Sequence, residues 1–437
     1  MVKNIGWIAG SRGFNSVVSV AYLAVAARTL GPAQFGAFAL ILTYAQLVAN
    51  FVQFQSWKGV IRYGALHVTA ERPDRLERLF GFTATLDFGS AIIGSLIAMV
   101  GVPLVAPLLH WQPPEQTSAA LFAGILLLTT GATPSGMLRL FDRFGLAAMG
   151  EAVGPLVRLA GSLAAWATGA GAETFLIIWV VAAVAQASTQ WLAVIVINRS
   201  RIAFGRRAFN QAIEENEGLW RFMLQTNLSN SVTMFWTQLG TLAIGAVSGP
   251  ADAGAFRLAK GLSKGIARPI QPITLALYPE LSRMVADDDH SQLRKVTLQV
   301  TFVATGLALL VVLVTGLFGR EILHLLAGRR FEFAEPFLFL LSVAAAIDLA
   351  GFAFEPLQNA YGQSWNVLRA KLIAAGAYVL LLGILLPTMG ARGAAIAAIL
   401  CSLLIFIQLA VLTARSLPKR PGVAAGVGEA DGIQLGE

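Results

Sequence analysis

The chain has 437 residues, of which 56% are hydrophobic and 13% are charged, and its mean hydropathy is +0.68. Soluble proteins carry about 25% charged residues, so this composition excludes a soluble globular class and predicts an integral membrane protein. The net charge of +8 is expected to serve membrane topology and contact with anionic lipid heads, and it gives no case for nucleic-acid binding.

The first predicted element contains Arg12 inside its apolar run and lacks a cleavage motif, so we interpret it as a membrane span and not as a signal peptide. Eleven further apolar blocks follow, most of them near the ~20 residues that cross the hydrocarbon core. The twelve predicted spans cover residues 5–29, 36–55, 80–101, 118–138, 150–168, 174–197, 222–247, 253–282, 297–318, 335–355, 372–388 and 393–413.

The distribution of basic residues between these spans predicts their orientation. With the N-terminus inside, the inner segments carry 21 lysine and arginine residues and the outer segments carry five. The positive-inside rule therefore predicts that both termini are cytoplasmic. The remaining six of the 32 cations fall within the spans themselves.

A short sequence repeat divides the chain into two similar halves. "GPAQFGAF" at residues 31–38 recurs as "GPADAGAF" at 249–256, with six of eight positions identical and an offset of 218 residues. Six spans in each half give both copies the same orientation, as in parallel repeats related by an axis along the membrane normal. We therefore predict four segments along the chain, namely an N-terminal lobe at 1–197, a cytoplasmic linker at 198–221, a C-terminal lobe at 222–413 and a disordered tail at 414–437.

Two stretches of the sequence carry a family resemblance. "AARTLGPAQFGAFAL", and "LFGREILHLLAG" followed by "FAEPFLFL" (317–340), resemble bacterial polysaccharide-export proteins. These are the O-antigen and exopolysaccharide flippases of the superfamily that also holds the MATE drug exporters and the lipid II flippase. The resemblance implies an all-α integral membrane protein of the inner membrane, with two six-helix lobes around a central cavity lined by spans 1, 2, 7 and 8.

The same resemblance implies a function. The protein would move a polyprenyl-diphosphate-linked oligosaccharide from the inner to the outer leaflet by alternating access, for polysaccharide or lipopolysaccharide biosynthesis. Membrane lipids, and the polymerase and glycosyltransferases of the same pathway, are the expected partners. Two alternatives stay open: a MATE-like exporter of small, anionic organic solutes, and a non-transporting membrane scaffold of a glycan-assembly complex.

The eighth span has the most informative pattern of charges. Arg257, Lys260, Lys264 and Arg268 are spaced three, four and four residues apart and form one stripe on an ideal helix. Each charge near the bilayer centre costs about 2.5–3.5 kcal/mol, so this stripe is expected to face water or a ligand such as a diphosphate. An amphipathic helix lying among the lipid heads is the alternative.

The second and seventh spans carry uncharged polar residues that could face the same cavity. Subtracting 218 sets the stripe of the eighth span against the second span, where Gln46, Asn50 and Gln53 are polar. Asn227, Asn230 and Gln238 lie on roughly one face of the seventh span. They would suit sugar hydroxyls, or equally polar contacts between helices.

Arg12 and two acids complete the candidate residues within spans. Arg12 is interpreted as a phosphate contact or as a partner of Asp87. Asp87 and Asp348 are the candidates for ion coupling, although buried acids also pair with arginines. Arg158 in the fifth span is predicted to pair with Glu151.

Two prolines predict a bend, and the lack of catalytic, metal and cofactor motifs limits the functions that the chain can have. Pro269 and Pro272 follow the charged stripe and predict a bend, which is either a hinge for alternating access or a static kink. Cys401 is the only cysteine, so no internal disulfide is possible. No metal-ligand spacing, P-loop or soluble catalytic domain is found, so no cofactor, metal or catalytic residue is predicted and the protein is not expected to be an enzyme.

Overall fold

The computed structural model describes residues 2–197, 202–267, 284, 290–361 and 363–416. All regular structure within these residues is helical. The helices are α1 (Val2–Val52), α2 (Ser56–Thr69), α3 (Pro73–Val105), α4 (Pro113–Leu128), α5 (Ala132–Leu140), α6 (Phe144–Thr168), α7 (Ala172–Ile197), α8 (Arg206–Glu215), α9 (Leu219–Ser248), α10 (Pro250–Ala267), α11 (His290–Ala327), α12 (Glu335–Ala350), α13 (Phe354–Ala360), α14 (Ser364–Met389) and α15 (Ala391–Ser416), with a 3₁₀ turn at Arg329–Ala334.

Within the described residues, the predicted spans fall on helices. Eight helical segments there are long and apolar enough to cross a bilayer, and the longest, Gly13–Thr69, contains the second predicted span and most of the first. The fourth span is broken between α4 and α5, and the tenth is broken between α12 and α13, at nearly the same point of each half. The eighth predicted span is described as far as Ala267.

Local sequence explains where several helices begin and end. Pro73, Pro113 and Pro250 each open a helix, where the missing N–H of proline costs no hydrogen bond. The side chain of Glu115 accepts a hydrogen bond from the N–H of Gln112 (2.9 Å) and closes the first turn of α4. Gly169, with a φ of 67°, ends α6 in the left-handed conformation.

The two copies of the repeated motif have the same backbone geometry. Gly31 has φ 69° and ψ 175°, and Gly249 has φ 88° and ψ 173°, a region open essentially to glycine alone. Tyr22 and Gln46, on either side of Gly31, line the same cavity, so the chain reverses direction at Gly31. Gly249 separates α9 from α10 in the same way.

These two motifs also pack against each other. A Cβ atom at Gly254 would lie 2.8 Å from the Cα of Gly36, and one at Gly36 would overlap the carbonyl group of Pro250. Gly36 and Gly254 are 218 residues apart, so the contact joins equivalent positions of the repeat, as expected at a pseudo-two-fold axis. We call this contact the outer junction, because the charge count predicts that this end of the bundle faces the outer side of the membrane.

Two lines of contact join the halves below the outer junction. The first joins α1 to α10, where Gly261 leaves space for Leu23. The second joins α1 to α9, where Gly245 leaves space for Leu40 and the Ser231 hydroxyl donates to the Asn50 carbonyl (2.8 Å). Each pair of helices is the repeat equivalent of the other, as a two-fold axis requires.

The described part of the predicted linker, residues 202–221, packs against the N-terminal half. It contains α8, and Arg78 of α3 donates two hydrogen bonds to the Glu215 carboxylate (2.6 and 3.0 Å). His67 is buried and contacts Asn216 at 2.8 Å. At the other end of the chain α15 continues to Ser416, and residues 417–437 of the predicted tail lie outside the described residues.

Candidate functional site

A cavity of about 350 Å³ lies between the two halves, below the outer junction. Its lining includes α1, α6 and α7 from the N-terminal half and α9 and α10 from the C-terminal half. None of the described residues that line it is acidic. The amide and cationic side chains of its lining belong to Gln46, Arg158, Gln238, Arg257, Lys260 and Lys264.

Arg257 connects the two halves across the cavity. Its guanidinium donates to the Thr43 hydroxyl (2.6 Å) and to the Gln46 side-chain oxygen (3.1 Å). The Gln238 amide donates to the same Gln46 oxygen at 3.3 Å. Hydrogen bonds to charged groups stabilise by about 1.5–3 kcal/mol each, so this network holds α10, α9 and α1 together in the described state.

Lys260 and Lys264 continue the cationic face of α10. The Lys260 ammonium donates to the Thr237 carbonyl, and the Lys264 side chain is exposed. Both lysines also border a smaller cavity of about 110 Å³ inside the C-terminal half, which Asp348 shares. Ser402 lines the same cavity, and Lys264 is close enough to Asp348 to interact with its carboxylate electrostatically.

Arg158 faces the central cavity, contrary to the predicted pairing with Glu151. Glu151, at the start of the fifth predicted span, pairs instead with Arg139 of α5. The Arg158 guanidinium lies 4.0 Å from the ring centroid of Trp179 and 5.7 Å from that of Tyr22. The structure therefore places a cation of the fifth predicted span on the N-terminal wall, to which the sequence had assigned Arg12 and the polar residues of the second span.

The uncharged polar candidates separate into different places. Of those on the second span, Gln46 lines the cavity, whereas the Gln53 amide donates to the Leu127 carbonyl of α4 (3.0 Å). The Asn227 amide donates to the Phe51 carbonyl (3.3 Å), at the contact between α9 and α1. Asn50 and Asn230 are not among the residues that line the cavity. Asn50 and Gln53 were expected to face the cavity, and the contact of Gln53 joins helices instead. For Asn227 and Asn230 a contact between helices was the stated alternative, and the contact of Asn227 is of that kind.

Asp87 binds hydroxyl and backbone groups of neighbouring helices. It is 3% exposed, and it accepts hydrogen bonds from the Ser56 hydroxyl, the Thr133 N–H (2.9 Å) and the Thr133 hydroxyl (2.7 Å). These bonds join α2, α3 and α5. The side chain of Arg12, its suggested partner, lies outside the described part of the structure, as do Arg268, Pro269 and Pro272.

Sequence reasoning missed three groups at this site. Thr43 lies one helical turn before Gln46, so its place on the same face could have been predicted from helical spacing. Tyr22 and Trp179 hold the Arg158 guanidinium. No spacing rule connects residues on three different helices, so only the folded chain brings these two together with Arg158.

Comparison with known proteins identifies a family and a bacterial relative that this chain resembles. A family described as polysaccharide biosynthesis proteins matches residues 1–285. Over 334 residues, 76% of this chain and 93% of that protein, the chain is 27% identical to the inner membrane protein YghQ of Escherichia coli strain K12.

Solved structures share the fold. An inward-facing multidrug resistance transporter of the MATE family and MOP superfamily superposes with a TM-score of 0.70 at 14% identity, over 93% of this chain and 95% of that one. The lipid II flippase MurJ, in an inward closed conformation, superposes with a TM-score of 0.70 at 10% identity, over 93% of this chain and 87% of that one. A MOP superfamily transporter from Pyrococcus furiosus superposes with a TM-score of 0.63 at 15% identity, over 94% of this chain and 96% of that one. The predicted all-α, MATE-like membrane fold is confirmed.

Proposed function

Because the chain belongs to the polysaccharide biosynthesis protein family, we propose that it is a flippase of the inner membrane for polyprenyl-diphosphate-linked oligosaccharides. In this proposal the substrate enters the central cavity from the cytoplasmic side and leaves towards the outer leaflet. The halves at 1–197 and 222–413 act as the moving lobes, and both termini are cytoplasmic. The pathway's glycosyltransferases and polymerase supply and consume the lipid-linked glycan.

The observation that carries the proposal is the charge of the cavity. Arg158, Arg257, Lys260 and Lys264 all line it, and none of its described lining residues is acidic. Clustered cations at membrane depth are costly, and a diphosphate is a compact anion that would offset their mutual repulsion. A low-dielectric cavity of one sign also concentrates ligands of the opposite charge.

Alternating access gives the contacts between the halves a role. The outer junction and the bonds of Arg257 to Thr43 and Gln46 would have to separate before the substrate leaves on the outer side. A diphosphate bound to Arg257 would compete with Thr43 and Gln46 for the guanidinium. Substrate binding would thereby weaken a contact that holds the outer side closed.

Asp348 is the better placed of the two candidates for ion coupling. It borders the same small cavity as Lys260 and Lys264, so a change in its protonation would change the electrostatic potential at these two lysines. The three hydrogen bonds of Asp87 join helices within the N-terminal half, which suits a structural role. We therefore propose Asp348, and not Asp87, as the residue to test for coupling.

The test removes the two lysine charges from the cavity. In a strain without the native protein, a K260Q/K264Q variant should accumulate lipid-linked glycan on the cytoplasmic face, as the deletion itself does, while the inserted protein stays at the wild-type level. The K371Q variant is the control, because Lys371 pairs with Glu355 (2.7 Å) away from the cavity. Full export by K260Q/K264Q would overturn the proposal.

The deletion strain also separates the proposal from its alternatives. A small-solute exporter predicts no accumulation of lipid-linked glycan but a loss of efflux of an anionic solute. A scaffold predicts that K260Q/K264Q restores glycan export fully, because a scaffold does not use the charges inside the cavity.

A further inference from the structure

Arg158 has no ion pair within the described residues, unlike three other arginines. Arg78, Arg139 and Arg320 each contact a carboxylate. No carboxylate of the described chain lies within ion-pair distance of Arg158, which instead sits over the aromatic ring of Trp179 at 4.0 Å. A cation–π contact contributes only about 0.5–2 kcal/mol, and it leaves the charge uncompensated for a ligand in the cavity.

Two N–H groups at this wall also have no hydrogen-bond partner among the described residues. They are the Nε of Arg158 and the indole Nε1 of Trp179, and both are buried. A buried donor without an acceptor costs about 1–3 kcal/mol. One of these donors belongs to the guanidinium and the other to the ring beneath it, so the described chain satisfies neither of them.

The position of Arg158 is what separates it from the stripe on α10. It projects from α6 of the N-terminal half, whereas Arg257, Lys260 and Lys264 project from α10 of the C-terminal half. The Trp179 and Tyr22 rings, themselves in edge-to-face contact at 6.0 Å, hold the guanidinium in place. A fixed planar guanidinium binds two oxygens of a carboxylate or phosphate side by side, which a lysine cannot do.

We propose that Arg158, oriented by Trp179 and Tyr22, is a second oxyanion-binding subsite that lies on the N-terminal wall of the cavity. It binds an acidic group of the transported head group beyond the one held by the α10 stripe. That group is either the second phosphoryl of the diphosphate or a carboxylate on the adjoining sugar. The inference rests on the proposed function, and it makes the head group bridge the two halves.

Two matched pairs of probes test the subsite on purified, full-length protein in nanodiscs. Farnesyl diphosphate and farnesyl monophosphate differ by one phosphoryl, and glucuronic acid 1-phosphate and glucose 1-phosphate differ by one carboxylate. In the wild type, the more acidic member of at least one pair should bind more tightly. R158Q should reduce that preference about tenfold or more, the effect of losing a charge-assisted hydrogen bond.

The pair that responds identifies the group. Loss of preference in the farnesyl pair assigns Arg158 to the diphosphate, and loss in the sugar pair assigns it to a sugar acid. R158K keeps the charge but not the planar fork, and it should fall between wild type and R158Q, so it also serves if R158Q is not recovered. W179F, which keeps a ring but removes the indole N–H, should weaken the same preference by a smaller factor.

Arg62 supplies the matched control. Its guanidinium also lies over aromatic rings, 4.5 Å from that of Phe222 and 5.5 Å from that of Tyr63, but it does not line the cavity. R62Q should leave every preference unchanged. Unchanged preferences in R158Q, together with loss of farnesyl diphosphate binding in K260Q/K264Q, would overturn the subsite alone. A wild type that binds none of the four probes would overturn the proposed function with it.

Discussion

The outer junction offers the sharpest test of how the two halves move. Substituting Gly36 with alanine would push a methyl group into the carbonyl group of Pro250, because the two backbones meet there without side chains between them. The added Cβ would lie 1.9 Å from the Pro250 oxygen, so the helices would have to separate by about 1.5 Å to restore ordinary contact. Overpacking of this kind costs about 1–3 kcal/mol, and the cost falls only on states in which the outer junction is closed.

The expected result is therefore a shift in population. A destabilisation of about 1–3 kcal/mol corresponds to a change of about 5-fold to about 150-fold in the ratio of open to closed outer ends. Spin labels at Q34C and R392C, on exposed positions of the two halves near this end, would report the separation by pulsed electron resonance. Cys401 can stay in place, since it is fully buried.

Gly89 provides the control for this measurement. It lies inside α3, and a Cβ atom added there would meet no atom within 4 Å, so G89A should leave the distance distribution unchanged. Helix propensity alone should make G89A more stable by up to about 1 kcal/mol. If G36A gave the wild-type distance distribution and the wild-type melting temperature, the reasoning about the outer junction would be refuted.

Two further predictions concern stability. D87A should lower the free energy of unfolding by about 2–4 kcal/mol in a thermal assay, because it leaves the Thr133 N–H and hydroxyl and the Ser56 hydroxyl without their acceptor. D87N keeps one oxygen and should lose less stability. Equal stability of D87A and the wild type would contradict the structural role of Asp87. The Cys401 thiol, at 0% exposure, should react with a maleimide only on unfolding, so its labelling should follow the melting curve, and rapid labelling of the native protein would show that its environment is open.

The fold was largely predictable from the sequence because each span carries its own signal. An apolar block of about 20 residues is readable locally, and the repeat at 31–38 and 249–256 fixed the offset between the halves. The short helices α2 and α8 were not predicted. Both are held by contacts from elsewhere in the chain, such as that between Arg78 and Glu215, and such contacts leave no periodic trace in a single sequence.

The candidate site was predictable only in part, for the same physical reason. Lys260 and Lys264 share a face of one helix, so helical spacing was enough to place them together. Arg158 was assigned to Glu151, seven residues away on its own helix, because the family resemblance places the fifth span farther from the cavity. The structure gives Glu151 to Arg139, and a choice between two arginines depends on how α5 and α6 pack.

The contact between Gly36 and Gly254 has a consequence for how the two halves can diverge. In a symmetric dimer of a six-helix chain, the same contact would join one residue to its own copy, so every substitution would be introduced twice and would face itself. In a single chain of two halves, each position mutates alone. The second half can therefore hold Arg257 and Lys264 where the first keeps Ala39 and Gln46. One continuous chain thus keeps a symmetric frame around a cavity that is chemically asymmetric.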